Sequence, residues 1–243
     1  MMSGHSKWSK IKRQKAVSDV KKSKYFSKAA ALIVIAAREK GGDPSTNPAL
    51  RLVIEKAKAL NMPSDNIERA IKRGTGEIED VKIEEITYEA YGPGGTALLI
   101  KTNTDNKNRT VSEIKHILNQ RGGKFAEAGS VKWLFEEKGV ISVNAKESGI
   151  GKDELELLAI DLGAEDIKTK EDDVEIYGKP SSLIKIKEGL EKTGIKIESA
   201  ETELTAKNPF EIRDPKIQEE LNKLYEALDD QNDVEEIYSN TAD

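Results

Sequence analysis

An α+β fold is predicted for this 243-residue chain, with an N-terminal helical bundle followed by two ferredoxin-like α+β domains, one inserted in the other. Three observations predict it. Up to residue 75, apolar residues recur at the i, i+3, i+4 spacing of helix faces. At Glu77 the pattern changes to β-branched and alternating residues around glycine-rich turns. From Phe135 to Leu204 the elements run β-α-β-β-α-β, the order of the split βαβ fold. The expected domains are residues 1–76 for a basic arm and helical bundle, 77–133 plus 205–243 for a middle α+β domain, and 134–204 for the inserted one. Insertion is tolerated where the termini of the inserted unit lie close together.

Each element has its own justification. Between Ser23 and Lys40, the residues Phe26, Ala29, Ala30, Ile33, Ala36 and Ala37 form one apolar helix face. Gly41-Gly42-Asp43-Pro44 stops that helix, because Gly accepts the left-handed position after it and Pro cannot continue it. Asn47-Pro48 restarts helix, with Asn as cap and Pro at the first position, and Leu50, Val53, Ile54 and Ala57 repeat the stripe. After the break at Asn61-Met62-Pro63, Ser64 or Asp65 is expected to cap a third helix, Asp65 and Glu68 standing at capping-box spacing. Ile67, Ala70 and Ile71 face inward there, and Gly74 and Gly76 end it.

Two strands are then expected between Ile83 and Thr104, on either side of Tyr91-Gly92-Pro93-Gly94-Gly95. That run lacks the spacing of a phosphate-gripping loop and leads into strand residues, so it is read as a hairpin turn. Asn108–Arg121 carries Val111, Ile114, Ile117 and Leu118 on one helical face. In the inserted domain, strands are expected over Phe135–Val143, Asp166–Lys170, Val174–Tyr177 and Ile195–Leu204, and helices over Lys152–Leu162 and Ser181–Thr193. A final helix, Asp214–Leu228, and a strand, Val234–Tyr238, are expected to complete the sheet begun at Ile83.

Composition narrows the function. The chain has no Cys, which removes disulfides, thiolate zinc sites and thiol catalysis and favours a reducing compartment. No apolar run approaches the ~18 residues of a membrane span, and no apolar stretch of a secretory signal follows the basic start. An acid-poor start fits an organelle-targeting segment. Its basic residues, however, are mostly Lys rather than Arg and helix signals run on without a cleavage-like break, so a cytoplasmic location is expected. His5 and His116 have no partners at metal-ligand spacing, and the acids form surface-like runs such as Asp172-Asp173 and Glu235-Glu236. No catalytic residue, metal site, cofactor or small-molecule substrate is expected.

Charge is divided sharply. Residues 1–75 carry 17 basic and 6 acidic side chains, whereas residues 76–243 carry 22 basic and 38 acidic ones. The densest stretch, Ser3–Lys28, holds nine Lys or Arg against the single acid Asp19. Like charges at that density cannot bury themselves, and Trp8, Ile11, Val17 and Val20 are too few to anchor a helix by packing alone. The bland account is a solvated arm; the functional one is neutralisation by nucleic acid, with Trp8 and Tyr25 placed to stack on bases. Candidate contacts in the arm are Lys7, Trp8, Lys10, Lys12, Arg13, Lys15, Lys21, Lys22 and Lys24. A second basic group around the Asn108–Arg121 helix adds Lys107, Arg109, Lys115, Arg121 and Lys124, with Lys101 nearby and Asp105 and Glu113 opposing. For that group a solvated helix face and nucleic-acid contact are evenly matched.

The motifs Ser3-Gly4-His5-Ser6-Lys7-Trp8 with Ile11-Lys12, Asn61-Met62-Pro63-x-x-Asn66-Ile67-Glu68-Arg69-Ala70-Ile71, Tyr91-Gly92-Pro93-Gly94-Gly95 and Gly129-Ser130-Val131-x-Trp133-x-Phe135 resemble the YebC family over nearly the whole chain. Some members of that family are described as DNA-binding transcriptional regulators. The wider family, which includes the mitochondrial translational activator of cytochrome c oxidase, is tied to translation on ribosomes. The resemblance implies a three-domain build and neither cofactor nor catalytic residue. Two expectations therefore stand side by side: a regulator acting on structured RNA of the translating ribosome that also binds DNA, and a sequence-specific DNA-binding transcriptional regulator. No helix-turn-helix spacing is clear, and an exposed cationic arm with aromatics suits irregular or single-stranded targets, which leans the reading towards RNA.

Overall fold

A computed structural model of the chain describes residues 19–78 and 83–242, with side chains in the first helix from Lys24 onward. It divides into two compact units, one of residues 19–130 and 213–237, the other of residues 131–212 and 238–242.

The first unit begins with three helices, α1 (Asp19–Lys40), α2 (Pro48–Ala59) and α3 (Ser64–Thr75). Ala29, Ile33, Val34, Ala36 and Ala37 of α1 share a core with Leu50, Ile54 and Ala57 of α2, with Met62, and with Ile67 and Ala70 of α3. Packing holds helices this short, since twelve residues alone are marginal in water. Asn47 locks the first corner. Fully buried, its side-chain amide donates to the carbonyls of Ala36 (2.9 Å) and Gly41 (2.8 Å), while its oxygen accepts from the Leu50 N–H at 3.1 Å. One side chain thus satisfies the carboxyl end of α1 and the amino end of α2. The third helix departs from expectation at its start. Neither Ser64 nor Asp65 caps it; Pro63 (φ −58°, ψ 141°) precedes it without a side-chain cap, and its carbonyl accepts from Asn66 and Ile67. The fixed φ of proline leads the chain into helix one residue early, so Asp65 sits inside the first turn, where it favours the helix dipole instead.

The same unit continues with β1 (Glu84–Tyr91), β2 (Ala97–Thr104), α4 (Lys107–Gln120) and β3 (Lys124–Phe125), and resumes with α8 (Pro215–Asp229) and the first four residues of β8 (Val234–Ser239). β1 and β2 form a hairpin registered from Glu84 opposite Thr104 to Tyr91 opposite Ala97, closed by a 3-10 turn at Pro93–Gly95. The sheet order is β3-β1-β2-β8. Leu98, Leu99 and Ile100 on β2 are all fully buried, so this strand is covered on both faces. Helix α8 crosses the turn so closely that a Cβ on Gly92 would lie 3.2 Å from Leu221 and 3.4 Å from Leu224. This sheet corrects the expectation of a second ferredoxin-like domain. β1 and β2 are joined directly by the turn, with no helix crossing between them, and the third strand is only two residues long.

The second unit contains β4 (Phe135–Asn144), the single turn α5 (Ala145–Ser148), α6 (Lys152–Leu162), β5 (Asp166–Lys170), β6 (Asp173–Gly178), α7 (Leu183–Lys192) and β7 (Ile197–Ala206). Its sheet order is β5-β6-β4-β7 with antiparallel neighbours, the split βαβ arrangement. Ile141, Val143 and Ile176 from the sheet pack against Leu155 and Ala159 of α6 and Ile186 and Leu190 of α7.

Candidate nucleic-acid interface

Of the candidate contacts in the arm, Lys7, Trp8, Lys10, Lys12, Arg13 and Lys15 lie outside the described residues. Lys21 and Lys22 fall in the first turns of α1, where the backbone alone is described. Lys24 is engaged within the fold. Its ammonium stands 3.2 Å from the Asp230 carboxylate, and one turn on, Lys28 donates to the Asp229 carbonyl at 3.0 Å. Two lysines four residues apart therefore meet the carboxyl end of α8, which carries the negative end of the helix dipole.

The cations at the start of α4 are likewise held by acids. Asn106 caps the helix by accepting from the Arg109 N–H, Lys107 pairs with Glu84, and Arg109 reaches both Asp105 and Asp233 at 2.9 Å. Asp233 is the centre of this group. Besides Arg109 it accepts from the Thr110 hydroxyl (2.7 Å), the Thr104 hydroxyl (3.3 Å) and the Gln231 amide (3.3 Å). Burial works against its charge, but hydrogen bonds from Thr110, Arg109 and Gln231 outweigh burial and hold the carboxyl below its ordinary range. Lys101 is also built in, between Glu85 (3.1 Å) and Glu235 (3.7 Å). Burial disfavours its charge, and the two carboxylates more than offset that. Lys107, Arg109 and Lys101 thus have structural work whatever else they touch.

The far end of α4 differs. Arg121 follows the helix as its C-cap and Lys124 opens β3; both are exposed and, among the described residues, neither has an ion-pair partner. Lys124 is paired directly opposite Tyr91 of β1, so their side chains share one face of the sheet edge, and Tyr91 is 39% exposed. On the opposite face Phe125 packs against Tyr88, with ring centres 5.9 Å apart, and the Lys115 ammonium lies 4.9 Å over the Phe125 ring. The edge therefore carries cations and aromatic rings on both faces. Cations beside exposed aromatic rings are the chemistry that a phosphate backbone and an unpaired base call for. In the sequence Tyr91 reads as part of the hairpin turn, and only its pairing with β3 sets it beside Lys124.

A line of polar side chains runs between the two ends of α4. Asn108, Ser112, Lys115 and Asn119 recur at i, i+4, i+7 and i+11, and all are exposed. His116 is exposed too, in a shallow cleft of about 460 Å³ between α4 and α8 shared with Glu113, Asp230 and Gln231. Among the described residues, no group of three His, Asp or Glu is placed to hold a metal ion, and no helix is long and apolar enough to cross a membrane.

Residues 6–77 match the family model for the TACO1/YebC protein N-terminal domain, and residues 83–241 match the model for the TACO1/YebC second and third domain. The chain is 49% identical to a probable transcriptional regulatory protein of Halothermothrix orenii, across 98% of this chain and 94% of that one. It is 52% identical to a probable transcriptional regulatory protein of Fervidobacterium nodosum, across 98% and 93%. A crystal structure of the conserved hypothetical protein Aq1575 from Aquifex aeolicus superposes with a TM-score of 0.84 at 42% identity, covering 92% of this chain and 91% of that one.

Proposed function

We propose that this chain, which belongs to the TACO1/YebC family, is a nucleic-acid-binding regulator of gene expression. In this reading its principal target is structured RNA of the translating ribosome, and DNA is bound less selectively by the same charges. It acts in the cytoplasm and needs no cofactor. The observation that carries the reading is the division of charge: 17 basic and 6 acidic side chains in residues 1–75 against 22 and 38 in the remainder. The basic part is suited to a polyanion, and the acidic remainder can meet one only at local cationic patches. The arm, through Lys7, Trp8, Lys10, Lys12, Arg13, Lys15, Lys21 and Lys22, supplies affinity for any phosphate backbone. Selectivity then falls to folded surfaces, of which the edge formed by Tyr91, Lys115, Arg121 and Lys124 is the best suited, with cations and stacking surfaces for unpaired bases.

A second reading, a sequence-specific regulator of duplex DNA, is favoured by the polar line Asn108, Ser112, Lys115 and Asn119 on α4. Amide and ammonium groups spaced along a helix are what a major groove can accept. The relatives, named as probable transcriptional regulatory proteins, also lean that way.

Binding to ribosomes and to random duplex DNA, measured at one physiological salt concentration, separates the two. The ribosome is expected to be preferred by at least about tenfold, ~1.4 kcal/mol. A hundredfold preference for one duplex sequence, with no ribosome enrichment in a sedimentation profile, would establish the second reading instead.

A further inference from the structure

We propose that the outward face of α6, in the unit of residues 131–212, is a docking surface for a cationic amphipathic protein segment. Leu157 is 67% exposed and Ile160 52%, and they stand one turn apart. The helix does not need them for its own packing. On its inner side Leu155 and Ala159 are fully buried, and Leu158 and Leu162 join the same core. A single exposed aliphatic is ordinary, but two on successive turns make a continuous apolar strip facing water.

The strip is framed by one sign of charge. With about 100° between successive residues, Glu156 falls on one side of Leu157 and Ile160, Glu154 and Asp161 on the other, and Asp153 in line with them. All four acids are exposed, and among the described residues none is in an ion pair. The single base of the helix, Lys152, is 3.7 Å from Asp172. Asp153 and Glu154 have an ordinary account, because acids in a first turn favour the helix dipole. Asp161 has none. It stands in the last turn, where the dipole disfavours an acid, and no base there offsets it. An acid at the wrong end of a helix, beside two aliphatics left in water, answers to a partner better than to folding.

Charge selects the class of occupant. An acidic rim repels nucleic acid and anionic lipid alike, and the same face on a second copy would set acid against acid. The whole 131–212 segment carries 12 basic and 19 acidic side chains, so the field around α6 does not reverse this sign. What fits is a polypeptide with apolar residues at helical spacing between flanks of Lys or Arg, laid along the strip. The inference goes beyond the nucleic-acid reading and does not depend on it.

The test uses the full-length protein and a synthetic amphipathic peptide of about 15 residues, long enough for helix to form on binding, with Leu on one face and Lys on both flanks. A scrambled peptide of the same composition is the control. The amphipathic peptide is expected to bind about tenfold more tightly than the scrambled one, and Leu157→Ser with Ile160→Ser to remove that margin. Asp153→Asn, Glu156→Gln and Asp161→Asn together are expected to weaken binding and flatten its salt dependence. Circular dichroism checks that each variant stays folded. Absence of binding, equal binding of the two peptides, or affinity unmoved by the serine pair overturns the proposal. So does a dimer in sedimentation velocity that the serine pair dissolves, since the face would then belong to a second copy.

Discussion

The Arg109 guanidinium reaches both carboxylate oxygens of Asp233, 3.1 and 2.9 Å away, across 124 residues of sequence. The contact joins the start of α4 to the turn before β8. That turn is fastened a second time, since the Gln231 side-chain oxygen accepts from the N–H groups of Asp233 and Val234 at 2.6 and 2.7 Å. The unit made of discontinuous chain segments is thus tied by a polar knot at the point where the last strand enters its sheet.

Asp233 is expected to matter more to stability than Arg109. Asp233→Ala leaves the buried Thr110 hydroxyl and the Gln231 amide without this acceptor and should cost about 2–3 kcal/mol. Arg109→Ala removes a partner whose side chain is 44% exposed and should cost about 1 kcal/mol or less. Urea midpoints at unchanged m-value report both. The sign of the pH dependence follows from the depressed Asp233 carboxyl. Its contribution is complete above the ordinary aspartate pKa of about 3.9 and is lost as pH falls through the lower folded value. The stability gap between wild type and Asp233→Asn should therefore be level from about pH 5 to 8 and narrow below about 4.

The salt dependence of binding divides the cations by role. If about six arm charges reach phosphates, log K should fall with log salt at a slope of about −5 on duplex DNA. Lys10, Lys12, Arg13 and Lys15 changed together to Ala should flatten it by roughly 3 to 4, and Lys115, Arg121 and Lys124 together by roughly 2 to 3 if all make contact. Arg109→Ala should lower stability and leave the slope alone, because Asp105 and Asp233 already neutralise that guanidinium. Tyr91→Ala should weaken single-stranded RNA by about 1–3 kcal/mol, with little change on duplex DNA. Slopes unmoved by both cation sets would place the interface elsewhere.

Gly74 is expected to resist the substitution that helix propensity recommends. It lies inside α3, where Ala would normally gain about 1 kcal/mol. A Cβ there would sit 2.6 Å from both the Ala37 Cβ and the Val34 carbonyl oxygen of α1. Neither the methyl nor the backbone can swing aside, so Gly74→Ala should destabilise by about 1–3 kcal/mol net. A thermal midpoint equal to or above that of wild type would show that α1 and α3 can separate without loss.

The domain division proposed from the sequence makes a further prediction. A fragment of residues 131–207 contains all four strands of the second sheet and both α6 and α7, and should unfold cooperatively on its own. Residues 77–130 should not. They lack β8, which borders β2, and α8, whose Leu221 and Leu224 close over Gly92. A cooperative transition in the shorter fragment, followed by circular dichroism during urea titration, would refute the assignment of α8 and β8 to this sheet.

Element type was legible in the sequence wherever a residue pattern repeated over several turns or strand pairs. Lys152–Leu162 as helix and Asp166–Lys170 as strand are read with their observed limits, and Asn47 as the cap of α2 follows from the Asn-Pro pair. Those properties belong to local chemistry: side-chain period, the fixed φ of proline, an amide that accepts from a helix N–H. The two residues of β3 are too few to show any period, and they become a strand only because Ala90 and Tyr91 offer an edge to pair with. The fate of individual charges was equally closed to a reading along the chain. Lys107 and Arg109 look no different from Arg121 and Lys124 in sequence, yet the first two meet Glu84, Asp105 and Asp233 while the latter two meet no acid among the described residues. The sequence by itself determined the kind and order of the elements and the separation of positive from negative charge, because each depends on near neighbours or on composition. Only the tertiary structure decided which cations are occupied by the fold and which remain available, because a charge is neutralised by whatever lies within a few ångströms, and here that partner comes from as far as 206 residues away, as Asp230 does for Lys24.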